Sequence, residues 1–454
     1  MGRRIYCQTN MQTSDTLKTR TDREATDSRI VLAVDALIEK AITAGATDIH
    51  IEPRENFVVV RYRIDGLLRV ANKLPYAVLA PLIKRIKSLA RLKIDEQRAP
   101  QDGHYSITLD GNTYALHVFT LPIMDGEKAV LRIINESSKA ATLEELGLWG
   151  ESLQTLQQAI VQPHGLVLVS GPMGSGTSTT LFSILSLLHT PNTTIATIED
   201  PIKYRIPGAT QTQIHPVTGL TFARGLQALL ARNPNIIMIG DMQDSDTAEL
   251  AAQAAGGGHL VCAALRTENA ASCLVRLLHM DLKPSIVSSS VHAVVGQRLV
   301  RQLCVDCRKS VKIDQAMLQK LTVLFGLDEA AQSKRIHELE KAAVVAGIGT
   351  TSTSDRAYSS NEAGITYIWQ ADVEGCESCN HSGYKGRIGI FEVLSVSDTI
   401  QTQLVAHLTA EALQATAVGE GMITMQLDGL IKTLCGKTTI DEVLRVTATA
   451  KLHP

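Results

Sequence analysis

Between Arg29 and Ala44 the apolar residues Val31, Leu32, Val34, Leu37, Ile38, Ala41 and Ile42 recur at helical spacing, with Ser28 in a capping position. The pattern predicts a first helix behind a polar tail at residues 1–29. From Asp48 it changes to short β-rich runs, IHI, FVVVRYRI and LLRV, broken by turn formers at Pro53–Glu55 and Asp65-Gly66. Helical spacing returns over Pro81–Leu92, and Tyr105–Leu109, Thr113–Thr120 and Lys128–Ile134 read as further strands. A mixed α+β domain, PAS-like in outline, is expected over residues 30–136, followed by a helical connector at 137–162.

The uniformly apolar run Leu166–Ser170 predicts a buried strand, followed by a glycine-rich turn and a helix over Thr179–Leu188. Strand-like runs at Thr194–Ile198, Ile236–Ile239 and His259–Ala264 alternate with helical stretches at Phe222–Ala231 and Ser245–Ala255. That alternation predicts an α/β domain at 163–300, a parallel sheet with helices on both faces. Residues 341–364, rich in Ala, Gly, Ser and Thr, read as a flexible insertion inside a subdomain at 301–390. Helical sequence over Thr399–Thr447 dominates a final part at 391–454.

Composition narrows the class. With 44% hydrophobic and 20% charged residues, the 454-residue chain has the balance of a soluble globular protein of several domains. A formal net charge of -2 gives no global case for nucleic-acid binding, and the basic stretch Lys84–Lys93 fits the solvated face of an amphipathic helix. The polar first 29 residues lack an apolar signal region, and no apolar run approaches the roughly 20 residues of a membrane span. A cytoplasmic protein is expected, reaching a membrane only through partners.

Candidate chemistry gathers at three places. Gly171, Pro172, Met173, Gly174, Ser175, Gly176, Thr177, Ser178 and Thr179 follow the buried strand and open the helix, the context of a Walker A phosphate loop. Backbone amides curl round phosphate there, and the helix N-terminus adds its dipole. The lysine of that motif is replaced by Thr177, while Ser178 keeps the hydroxyl that serves Mg²⁺. A glycine-rich turn without a ligand has the same letters. Ile236–Asp241 has the form of a Walker B strand with Asp241 as its Mg²⁺ carboxylate, and Glu199 ends another strand as a candidate general base. Any acidic turn after a buried strand also fits these two. Of eight cysteines, Cys304/Cys307 and Cys376/Cys379 form two CxxC pairs, a tetra-thiolate Zn²⁺ pattern that reduced or redox-active thiols share.

Taken in order, these pieces resemble the secretion ATPases that drive type II secretion and type IV pilus assembly. The likeness is carried by Ala46–Pro53, Val60–Gly66, Pro100–Gly103, Thr120–Pro122, Gly126-Glu127, the phosphate loop and Thr197–Pro201. It continues in Gly219–Gly225, Gly258–Val261, Gln297–Val300, Tyr384–Gly389 and Thr438–Val443. The resemblance implies a RecA-like P-loop core after a smaller α+β domain, with a zinc-binding insertion and C-terminal helices behind it. It further implies a hexameric ring on inner-membrane platform proteins, using ATP, Mg²⁺ and Zn²⁺, with Glu199 catalytic, Ser178 and Asp241 serving Mg²⁺, and Arg132 reaching the nucleotide. Departures from the family pattern fall at Thr177 (lysine in the family), Asp241 (glutamate), Gln243 and His117 (both arginine), Arg266 (histidine), and Asn233 and Asn235 (aspartates). They set a motor subunit against a catalytically impaired subunit of a mixed ring with an intact paralogue. Longer members carry an additional N-terminal docking domain, for which the 29-residue tail leaves no room.

Overall fold

The computed structural model describes residues 29–136, 139–215, 218–325, 330–349, 358–407 and 409–447. The tail expected at 1–29 lies, Arg29 apart, outside the described residues. Two units, Met1–Ser138 and Lys139–Pro454, carry the elements.

In the first unit a helix (α1, residues 29–43) precedes β1 (Ala46–Pro53), β2 (Phe57–Ile64), β3 (Leu67–Pro75), α2 (Leu79–Leu89), β4 (Gln101–Leu109), β5 (Asn112–Ile123) and β6 (Gly126–Asn135). The strands form one antiparallel sheet in the order β3-β2-β1-β6-β5-β4. The β2–β3 turn is made by Asp65-Gly66 with φ of 49° and 84° at the two positions, the left-handed pair a two-residue hairpin requires. The apolar faces of α1 and α2 close over the sheet through Val34, Ile38, Leu82 and Ile86, all buried. The charged groups buried with them are paired: Lys87 with Glu127 at 2.6 Å, Glu52 with Arg61 at 2.7 Å and Lys128 at 2.9 Å, and Asp48 with Arg132 at 3.1 Å.

The second unit opens with α3 (Gly150–Ile160) and β7 (Gly165–Ser170), then α4 (Thr177–Leu188), β8 (Ile195–Glu199), β9 (Thr210–Gln213), α5 (Phe222–Leu230), β10 (Ile236–Ile239), α6 (Ser245–Gly256), β11 (Leu260–Leu265), α7 (Ala270–His279), α8 (Pro284–Ser290) and β12 (Val291–Leu303). Next come β13 (Lys309–Lys312), α9 (Gln315–Phe325), α10 (Ala330–Val345), β14 (Ser360–Asn361), β15 (Gly364–Ile365), β16 (Tyr367–Gln370) and β17 (Tyr384–Ser395). Helices α11 (Asp398–Val405), α12 (Ala410–Gly419), α13 (Met425–Leu434) and α14 (Ile440–Thr447) complete it. The main sheet has the order β17-β12-β7-β11-β10-β8-β9, parallel throughout except for β17, which runs antiparallel on β12. Strands β7, β8, β10 and β11 are buried at every position, because both faces are covered. The α/β core with a parallel sheet is therefore present as the sequence predicts.

Three local expectations differ from what is observed. Among the described residues of 137–162, helix is confined to α3; a turn at residues 143–147 precedes it, where Gly147 has φ 105° and a Cβ would lie 2.7 Å from Ile388 and 3.0 Å from the Gly389 carbonyl oxygen. Residues 341–364, expected to be flexible, include the last turn of α10 and the β14–β15 hairpin, where the buried Glu340 accepts from the backbone amides of Ser359 and Ser360 at 2.7 and 2.9 Å; residues 350–357 of the segment lie outside the described residues. The stretch from 391 begins as strand, since β17 continues to Ser395 in the main sheet.

Candidate functional site

Strand β7 delivers residues 171–176 to the N-terminus of α4. Gly174 and Gly176 have φ of 82° and 92°, and Gly176 is the helix's N-cap residue with no side-chain cap, so the first amides of α4 have no side-chain acceptor at that position. A Cβ on Gly171 would lie 2.4 Å from Ser175 Oγ and 2.6 Å from the Gln297 carbonyl oxygen, and one on Gly176 would lie 2.7 Å from Gln297 Nε2. The curl therefore exists only with glycine at both positions. Gln297, on β12, holds it from the neighbouring strand: its Nε2 donates to the Ser175 carbonyl at 2.9 Å, and its Oε1 accepts from Thr180 Oγ1 at 2.6 Å. The buried hydroxyls of Ser170 and Ser175 have no hydrogen-bond partner among the described residues, an omission that a bound anion or its water would fill. Met173, at the tip, is exposed.

Glu199 ends β8 and is buried. Its Oε1 accepts from Thr197 Oγ1 at 2.7 Å and from Gln211 Nε2 at 3.2 Å. Burial raises its pKa above the ordinary carboxylate range, against the lowering effect of those bonds and of the Lys203 charge. The chain after β8 is pinned to α4: the Tyr204 ring stacks on Phe182 at 4.5 Å, and its hydroxyl lies 2.9 Å from Thr179 Oγ1. This places Lys203 so that its Nζ donates to Ser178 Oγ at 2.8 Å.

Asp241 follows β10, next to β8 in the sheet. Its Oδ2 forms an ion pair with Arg266 and accepts from Gln243 Nε2 at 2.7 Å. The two residues expected to serve Mg²⁺ are thus each engaged by a cation of the chain. An ammonium 2.8 Å from Ser178 Oγ would stand within about 5 Å of a Mg²⁺ on that oxygen, where like charges repel. As arranged, this pair does not fit the metal. Arg132, expected to reach nucleotide, lies in the first unit, its Nε donating to Asp48 Oδ1 at 3.1 Å.

A family model described as type II/IV secretion system protein matches residues 23–445. The chain belongs to the type II/IV secretion system protein family. Among family relatives, type II secretion system protein E of Dickeya dadantii is 38% identical over 421 residues, 93% of this chain and 76% of that one. The type IV pilus assembly ATPase PilB of Thermus thermophilus is 40% identical over 411 residues, 90% of this chain but 42% of PilB. The fold is that of the Legionella pneumophila ATPase DotB, with a TM-score of 0.62 at 19% identity, covering 92% of this chain and 95% of DotB.

This family member also gathers its four CxxC sulfurs. Cys304 follows β12 directly, and Cys376 and Cys379 precede β17. All four Sγ atoms lie within 4.8 Å of one another, with Cys304–Cys376 at 3.7 Å, Cys376–Cys379 at 3.8 Å and Cys307–Cys379 at 3.9 Å. A tetrahedron of Zn–S bonds of about 2.3 Å has edges of about 3.8 Å, so the spacing fits Zn²⁺. The amides of Cys376 and Gly383 point to Cys379 Sγ at 3.3 Å each, which stabilises thiolate character. Left-handed backbone at Gly375 and Gly383, with φ of 62° and 70°, permits that approach. Gln297 stands in a motif quoted for the family but without a chemical role assigned from sequence. Lys203 had no role assigned from sequence, and Asp241 and Arg266, each singled out there, were not read as a pair.

Proposed function

We propose that this chain is a nucleotide-binding motor subunit of a type II secretion or type IV pilus assembly machine, in which ATP binding and hydrolysis drive pseudopilus or pilus extension and protein secretion. The carrying observation is the glycine-dependent curl of residues 171–176 at the start of α4, locked by Gln297. Its amides face a polyphosphate, and Glu199, buried at the end of β8, holds the place of the base that takes a proton from the attacking water. The names of the relatives, type II secretion system protein E and a pilus assembly ATPase, support the same reading. On it the subunit works in a ring, a homo-hexamer or a mixed ring with an intact paralogue, at the cytoplasmic side of inner-membrane platform proteins. The four thiolates would hold a structural Zn²⁺, and nucleic acid has no part.

A second reading, a ring subunit that holds nucleotide with little turnover, is favoured by Thr177 and by the pairing of Asp241 with Arg266. Losing a phosphate-facing cation commonly costs about 3 kcal/mol of transition-state stabilisation, or roughly a hundredfold in rate. Steady-state ATP hydrolysis by the purified oligomer tests both. Slow turnover is expected, abolished in Glu199→Gln and raised in Thr177→Lys. Vigorous turnover unaffected by Glu199→Gln would overturn the assignment of roles.

A further inference from the structure

Residues 171–178 carry no cation of their own, and one stands against them from the stretch between β8 and β9. Lys203 Nζ sits 2.8 Å from Ser178 Oγ, at the helix end where the loop amides converge. Its backbone is fixed from both sides: Gln213 Oε1 accepts from the Ile202 amide at 3.2 Å, and Tyr204 is clamped by Phe182 and Thr179. Gln211 adds a bond to the Tyr204 carbonyl at 2.8 Å. With the backbone held and the ammonium bonded to Ser178 Oγ, this lysine loses less entropy on meeting a ligand than an unrestrained one does. Asp241, after β10, points the same way, since it is paired with Arg266.

We propose that Lys203 is a phosphate-binding residue that supplies from the β8 side the positive charge missing at Thr177, so that the loop binds a nucleoside triphosphate without requiring a divalent cation. The inference rests on the loop being a nucleotide site. In this arrangement the ammonium meets the terminal phosphate oxygens from the Ser178 side, while the amides of residues 174–178 hold the remainder. Charge is matched by chain residues, and the metal becomes dispensable for binding.

Calorimetric titration of the full chain with ATP, in EDTA and in Mg²⁺, tests this. Wild type should bind in EDTA with an affinity within about threefold of that in Mg²⁺. Lys203→Gln, which keeps a donor for Ser178 but no charge, should lose about tenfold or more in both buffers, as should Lys203→Met. Adding Thr177→Lys to Lys203→Met should restore affinity. Unaltered thermal unfolding of Lys203→Gln shows the loss to be local. Wild-type affinity in Lys203→Gln, or wild-type binding that vanishes in EDTA, would overturn the inference alone. Absence of ATP binding by wild type in both buffers would instead remove the nucleotide reading and the inference with it.

Discussion

Replacing Gln297 by leucine keeps the bulk of the side chain and removes its two hydrogen bonds. The partners left behind are the Thr180 hydroxyl and the Ser175 carbonyl, each within 2.9 Å of the amide in the wild type and each buried. An orphaned buried donor or acceptor costs about 1–3 kcal/mol, so the pair should cost about 2–6 kcal/mol. For a unit as large as Lys139–Pro454, each kcal/mol lowers Tm by roughly 1.5 °C, giving a fall of about 3–9 °C. Because the amide also stands against the position where Gly176 allows no Cβ, the freed loop should relax its curl, and ATP affinity should fall about tenfold or more. Thermal unfolding and ATP titration of the same preparation read both effects. A Gln297→Leu protein that melts within about 2 °C of wild type and binds ATP equally well would refute the account of Gln297 as the clamp of the loop.

Purified protein should contain about one Zn²⁺ per chain, measured by atomic absorption, and Cys376→Ser should lose it and melt earlier. Glu442 provides a pH dependence. Burial alone would raise its carboxyl, but hydrogen bonds from Arg445 and Arg301 outweigh that and hold it at about 2, from an ordinary 4.5. Stability from these bonds is therefore complete above about 4.5 and lost as pH falls towards about 2. Scans of Tm against pH should show this acid loss in wild type and a shallower one in Glu442→Gln.

Strands β7, β10 and β11 were legible because burial on both faces writes an unbroken apolar run, and helices α4, α5 and α6 were legible beside them. The two CxxC pairs were legible because their spacing is itself the chemistry. What sequence could not supply is side-chain reach across the sheet. Lys203 meets a hydroxyl 25 positions away, Gln297 grips a loop 122 positions away, and Arg266 neutralises a carboxylate that looks open in the linear order. Periodicity is silent about such meetings, since they depend on which strands become neighbours. In the 341–364 stretch, Ser359 and Ser360 meet the buried carboxylate of Glu340, 19 and 20 positions earlier, a pairing that composition does not show.

The long β12–β17 ladder has a consequence for metal supply. Gln297 pairs with Phe391 near its middle, while Leu303 pairs with Tyr384 at the end that runs into the cysteine cluster. From Gln297 the strand runs about 20 Å to Leu303, through an irregularity between Arg301 and Leu303, so sulfur chemistry and phosphate loop sit at two stations on one ladder. Pinning the far end forbids the slippage by which two strands exchange inward and outward faces, a slip that would turn Gln297 away from the loop altogether. Cellular zinc shortage or thiol oxidation would thereby reach the nucleotide pocket without touching a single residue that contacts the ligand.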